Sequence, residues 1–423
     1  MTHRLKLGSR NVYHCGKFRQ LEVGIDDGRI TEVGERVGRA REDRDLGDRL
    51  LLPGMIDGHV HFRDPGNPEK EDFRTGSKAA IRGGVTTIVD MPNNEPPVKY
   101  PDLFRRKKQI ARGKSLCNYG LYAGIPENLD LIEPLWSEGA LGFKHYMAQE
   151  DVSLKALAAE IDKIGALLTV HAEEKELIVS SARSNTPEQY LDCRPASVEK
   201  AAVKRLTSNH TERLHLAHVT LPESVSLAEN IATIEVTPHH LLLAREEIDL
   251  FDFVPVCHPP IRKRSAVNQI QELFLSDRID IIASDHAPHE RSAKITDDPD
   301  QGSAGIPGVE TILPLSLTFA RNEEVSLGFV IEELTKQPAQ VFGFEKRGQI
   351  RKGYWADFVV VDHDVNRKIK GDNFLSKAKL TPFEGFEILF RPVMTFVNGR
   401  LQYREGEIID ETAGEFLRDG YCG

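Results

Sequence analysis

No Cys-x-x-Cys pair occurs among the five cysteines, Cys15, Cys117, Cys193, Cys257 and Cys422. Their odd number and wide spacing argue against a disulfide framework and read as free thiols in a reducing compartment. No apolar run approaches the roughly 18 residues of a membrane span, and residues 1–16 lack the apolar core of a signal peptide. Basic charge is not in excess either: 55 Lys and Arg stand against 65 Asp and Glu, a net charge of −10. A general nucleic-acid binder, which would carry a basic face, is therefore not expected. An anionic small substrate stays open, because one arginine in a pocket can hold a carboxylate. Low-complexity tracts and short-period repeats are also missing. The expectation is a soluble cytoplasmic protein that works on a small molecule, with no membrane and no nucleic acid as partner.

A length of 423 residues suits two or three domains, or one large barrel with a smaller domain beside it. The first fifty residues are strand-like. Residues 21–25 and 29–33 alternate apolar with polar or small residues, and Asp26-Asp27-Gly28 between them is a hairpin turn signal. Residues 353–362 and 393–399 have the same character. The two chain ends are expected to pair into one small β-sandwich, 1–52 with 346–423, flanking a central domain over 53–345. In that centre, short apolar runs recur at 54–62, 85–90, 119–123, 141–147, 167–173, 214–220, 233–237 and 279–284. Segments of helical spacing lie between them, such as 153–164, 196–206 and 265–274. Eight strands alternating with helices predict an α/β fold, a parallel (β/α)₈ TIM-like barrel.

In such a barrel the site lies at the C-terminal ends of the strands. Polar residues do gather where the apolar runs end: His59, His61 and Arg63 at the first, Asn93 after the second, Lys144 in the fourth, His171 in the fifth, His218 in the sixth, His239 and His240 after the seventh, and Asp285 and His289 after the eighth. His59 and His61, at strand spacing, share one face and are candidate metal ligands. His171 and His218 are placed to complete a site, the alternative being hydrogen-bonded histidines at a barrel rim. Asp285 fits either a site carboxylate or a helix N-cap. Arg63, at the strand exit, is a candidate carboxylate clamp. Lys144 is costly as a cation inside an apolar strand. Either its ammonium reaches the rim, or its neutral amine adds carbon dioxide to form a carbamate able to bridge two zinc ions.

Asp57-Gly-His-Val-His-Phe-Arg63, Asp90-Met-Pro-Asn-Asn94, Gly142-Phe-Lys144, His171-Ala-Glu173, Glu235-Val-Thr-Pro-His-His240 and Ala283-Ser-Asp-His-Ala-Pro-His289, with Gly305-Ile-Pro-Gly-Val-Glu310 and Ser376-Lys-Ala-Lys379, resemble the amidohydrolase superfamily. Within it they are most similar to the dihydroorotase family in its archaeal form, over nearly the whole chain. The resemblance implies a hydrolase of cyclic amides that interconverts N-carbamoyl-L-aspartate and dihydroorotate in pyrimidine biosynthesis. It implies two zinc ions per subunit and a CO2-derived carbamate on Lys144, and it leaves a homo-oligomer open. His59, His61 and Asp285 would bind one zinc and His171 and His218 the other, with Lys144 bridging and Asp285 moving the proton. Arg63, Asn93 and His289 would hold the substrate carboxylate, with the backbone of Ala304 and Gly305 bordering the ring. Relatives often carry Asn-Pro-Pro-Leu-Arg before the eighth strand, the asparagine contacting substrate; here His258-Pro-Pro-Ile-Arg262 puts His258 in that place. His239 and His240 are read as supporting residues. The competing readings are a hydantoinase or allantoinase, and a catalytically silent scaffold protein.

Overall fold

The computed structural model describes residues 2–179, 186–209, 211–296, 302–409 and 414–418. Its barrel strands are Met55–Val60, Val85–Asp90, Asn118–Leu121 with Ala123–Gly124, Gly142–Tyr146, Leu167–His171, Leu214–Leu216, Ala232–Val236 and Ile281–Ile282. Neighbouring strands pair in parallel, Glu235 opposite Ile281 and Lys144 opposite Thr169 among them. The ring closes between the first and eighth strands, where the His61 amide donates to the His286 carbonyl at 2.9 Å. Each run of the sequence has its strand, but several strands are shorter than their runs. The sixth strand ends at Leu216 and the eighth at Ile282. Beyond those points the apolar residues lie in buried loops that carry His218 and Asp285 to the rim.

Helices form where the spacing predicts them. Helix Leu154–Lys163 buries Leu154, Leu157, Ala158 and Ile161, and Ser153 caps it by accepting the Ala156 amide. Helices Ala196–Thr207 and Arg264–Leu275 match the other two stretches within a residue or two.

The chain ends meet in one nine-stranded sheet. Leu50–Pro53 runs antiparallel to Phe358–Lys368, Leu51 opposite Val360. The first strand, Thr2–His14, shifts register between Ser9 and Val12; before that point it pairs Arg39–Asp45 and after it Leu50–Pro53. This change of partner curls the sheet over its own core of Leu7, Val23, Ile25, Phe358 and Phe396. The expected hairpin is present: Asp27 and Gly28 take positive φ, 46° and 75°, between Lys17–Asp26 and Arg29–Gly34. Among the described residues no helix is long and apolar enough to cross a membrane. Cys15, Cys117, Cys193 and Cys257 are free thiols; Cys422 lies outside the described residues.

Candidate metal centre and active site

The first barrel strand is buried along its whole length. The Asp57 carboxylate accepts the amides of His59 (3.3 Å) and Ser284 (3.0 Å), tying the first strand to the eighth. Burial pushes this carboxyl up to about 6. Gly58 lies so close to Phe342 that a Cβ would stand 2.3 Å from the ring. His59 and His61 are thereby fixed on the face turned toward the other strand ends.

Four imidazoles form an arc. Ring centroids are 5.3 Å apart for His61 and His59, 5.3 Å for His59 and His218, and 4.6 Å for His218 and His171. One Asp285 oxygen faces the first pair, 3.3 Å from His59 Nε2 and 3.1 Å from His61 Nε2. One ligand atom each from His59, His61 and Asp285 all lie within 4.8 Å of one another. Burial holds His61 at about 3 and lowers His171 and His218 as well. His61, His171 and His218 are thus shifted toward the neutral form, the one that binds metal. Burial opposes the charge of Asp285, but His59 and His61 outweigh it and keep the carboxyl well below its usual range.

Each of three histidines is oriented from outside by a second group. Glu235 accepts His59 Nδ1 at 2.8 Å and the His218 amide at 3.1 Å. Glu173 bonds His171 Nε2 at 2.6 Å and pairs with Arg194. The Asn93 Oδ1 accepts His61 Nδ1 at 2.6 Å. Such partners fix the tautomer and aim the remaining nitrogen. The loop carrying Asn93 is braced by a buried lysine: Lys107 pairs with Asp90 at 2.5 Å and donates to the Asn94 Oδ1 at 2.8 Å. Glu235 opens the Glu235–His240 motif, but the sequence assigns it no role of its own. Its one signal there is an acid inside the apolar run 233–237.

Lys144 does not reach the rim. It is fully buried, its Nζ has no hydrogen-bond partner among the described residues, and burial lowers its pKa to about 8. His218 Nδ1 is likewise buried and unpartnered. Orphaned donors beside two histidines and a carboxylate are a set that nitrogen- and oxygen-ligated zinc suits. Three residues here hold left-handed backbone: Arg63 (φ 56°), His218 (φ 40°) and Asp285 (φ 43°). Non-glycine residues adopt it at a cost on the order of 1–3 kcal/mol, and such strain collects at functional sites.

Arg63 leaves the first strand toward His289, whose Nε2 is 3.4 Å from its Nη2. Its buried Nε has no partner, and no ion pair to Arg63 occurs among the described residues. His258 stacks on Tyr190, centroids 5.3 Å apart and planes 7° apart, with its Nε2 unpartnered among the described residues. Ala304 packs beside Phe253 and Val256, and Gly305 is bonded to Val256. Tyr146 adds a buried, unpartnered hydroxyl near His171 that the sequence did not single out. Two histidines turn elsewhere. His286 takes the Gly308 amide on Nδ1 and faces Phe62. His240 bonds Thr237 and the Pro259 carbonyl, forming with His239 and Cys257 a separate buried group of possible ligands.

The model of the Amidohydrolase family matches residues 50–401. The chain belongs to the amidohydrolase family. This amidohydrolase is 37% identical to a dihydroorotase of Methanothermobacter thermautotrophicus over 418 residues, 95% of each chain. It is 36% identical to a dihydroorotase of Halobacterium salinarum, over 95% of this chain and 97% of that one. Among solved structures, the L-hydantoinase (dihydropyrimidinase) from Arthrobacter aurescens superposes with a TM-score of 0.90 at 27% identity, covering 98% of this chain and 99% of that one. The His59, His61 and Asp285 group in this family setting indicates a metal cofactor.

Proposed function

We propose that the protein is a dihydroorotase, which reversibly closes N-carbamoyl-L-aspartate to L-dihydroorotate for pyrimidine synthesis in the cytoplasm. One observation carries this choice over other cyclic-amide hydrolases. Arg63 offers a guanidinium beside His289 with no carboxylate paired to it among the described residues. A partly buried cation of this kind calls for an anion from the ligand. Dihydroorotate has a free carboxylate; hydantoin and allantoin rings do not. The full-length likeness to archaeal dihydroorotases supports the same reading.

His59, His61 and Asp285 would hold one zinc, and His171 and His218 the second. Lys144, carried as a carbamate, would be shared between them. Its unpartnered amine is what the addition of carbon dioxide requires, since only the neutral form reacts. When bound, the zinc pair supplies an activated water at neutral pH and polarises the scissile carbonyl. Arg63, the Asn93 amide nitrogen and His289 grip the substrate carboxylate, while His258 and the Ala304–Gly305 backbone border the ring. In ring opening, the water oxygen bonds to the amide carbon as Asp285 takes its proton. The carbon–nitrogen bond then breaks, and Asp285 returns that proton to the leaving nitrogen. Ring closure runs through the same groups in reverse, with protonated Asp285 as the acid.

The Arg63→Met enzyme is expected to show a KM for dihydroorotate about 10–100-fold higher, the loss of one charge-assisted contact. Any ring opening of neutral hydantoin should be unaffected or improved. A KM for dihydroorotate unchanged by the substitution would contradict the carboxylate clamp. The Glu235→Gln enzyme is expected to bind zinc about 10–100-fold more weakly, since His59 loses its charged partner. Competition with a chromophoric chelator measures this; unaltered affinity would remove Glu235 from the centre.

A further inference from the structure

Lys294 ends a short helix, Arg291–Lys294, after the eighth strand, and it is fully buried. Its ammonium donates to three main-chain carbonyls: Val256 (3.1 Å), Ser303 (2.8 Å) and Gly305 (2.8 Å). That uses all three donors of the group. No carboxylate bonds it among the described residues. Burial brings its pKa down to about 7. A buried cation without a counter-ion is an expensive way to hold a loop, and an apolar side chain of similar size would ordinarily do so at lower cost.

The three carbonyls belong to the two segments that, in the proposed function, border the substrate ring. Val256 lies two residues before His258, and Ser303 and Gly305 flank Ala304. The Gly305 amide also donates to the Val256 carbonyl at 2.8 Å, so Lys294 grips both ends of that contact. Gly305 has little freedom of its own to settle. Its φ is 142°, and a Cβ there would meet the Ala287 carbonyl at 2.5 Å.

We propose that Lys294 is a positioning residue, which pins the Ala304–Gly305 backbone to the Val256 segment and so sets the wall against which the substrate ring would lie. The consequence for substrate binding rests on the dihydroorotase reading; the pinning does not. Lys294 touches no reacting atom, so its loss acts on binding rather than on the chemical step.

The test uses the full-length, zinc-loaded enzyme and its Lys294→Met and Lys294→Arg variants. Amide hydrogen exchange around Gly305, without substrate, reads the pinning. KM and kcat for L-dihydroorotate, with zinc content, read the consequence. In Lys294→Met the Gly305 region is expected to exchange about tenfold faster or more, and KM to rise about tenfold or more, with kcat within about threefold and zinc retained. Lys294→Arg, which keeps the charge and the donors, is expected to recover most of both. Unchanged exchange and KM would overturn the proposal, as would kcat falling together with zinc content. If Lys294→Met does not fold, Lys294→Gln takes its place under the same criteria. If the wild-type enzyme fails to turn over dihydroorotate, the dihydroorotase reading fails, and exchange at Gly305 alone decides the pinning.

Discussion

The Asp285→Ala enzyme is expected to turn over dihydroorotate about 10³-fold more slowly or worse, in both directions, while keeping its fold. The geometry gives Asp285 two tasks at once. One of its oxygens lies 3.1 Å from His61 Nε2 and 3.3 Å from His59 Nε2, so its loss weakens the grip on the first metal. It is also the carboxylate placed to carry a proton between water and the leaving nitrogen. Asp285→Asn separates the two. The amide keeps an oxygen toward the histidines but cannot accept the proton, so zinc content should largely survive while kcat stays low. The positive φ of Asp285 adds a stability readout. Asparagine tolerates that backbone better than alanine, so the Asn variant should melt higher than the Ala variant. If Asp285→Ala retained kcat within about tenfold of wild type, well inside what general acid–base catalysis contributes, the proton-carrier role would be wrong.

The second large effect is at Lys144. Lys144→Met replaces a fully buried, unpartnered amine by an apolar chain of similar length. Turnover is expected to fall by about 10³-fold or more, because the activated water depends on the shared ligand. Binding of the second zinc should fall with it. Stability of the metal-free protein should hold or rise, because burying a polar group without a partner costs about 1–3 kcal/mol. A structural lysine would give the opposite pattern, a lower melting temperature with turnover intact. Carbon-13 NMR of protein equilibrated with labelled bicarbonate gives an independent readout: a carbamate signal in wild type that is absent from Lys144→Met.

The barrel is legible in the sequence because its strands are buried on both faces and so read as continuous apolar runs. The runs overstate the strands for the same reason. Residues past Leu216 and Ile282 are as buried as those before, but their backbone leaves the ladder to take the turns that present His218 and Asp285. The clustering of histidines at run ends is legible as well, since a barrel has one functional face. Groups that work through distant partners are not legible. Glu235 reaches His59 across 176 positions. Asn93, read as a substrate group, also fixes the His61 ring through its oxygen. His258 is held by a stack with Tyr190, which nothing in its local motif announces. Lys294 sits in a stretch rich in charge and turn residues, and only the three convergent carbonyls reveal it as buried.

The central claim is the choice of substrate, and a single competition of activities tests it. Zinc-replete protein is assayed for cyclisation of N-carbamoyl-L-aspartate and for opening of L-dihydroorotate, hydantoin and allantoin under the same conditions. The predicted result is interconversion of the first pair, with kcat/KM for dihydroorotate about 100-fold or more above either neutral ring, the scale of a lost charge-assisted contact. Faster opening of hydantoin or allantoin than of dihydroorotate would contradict it.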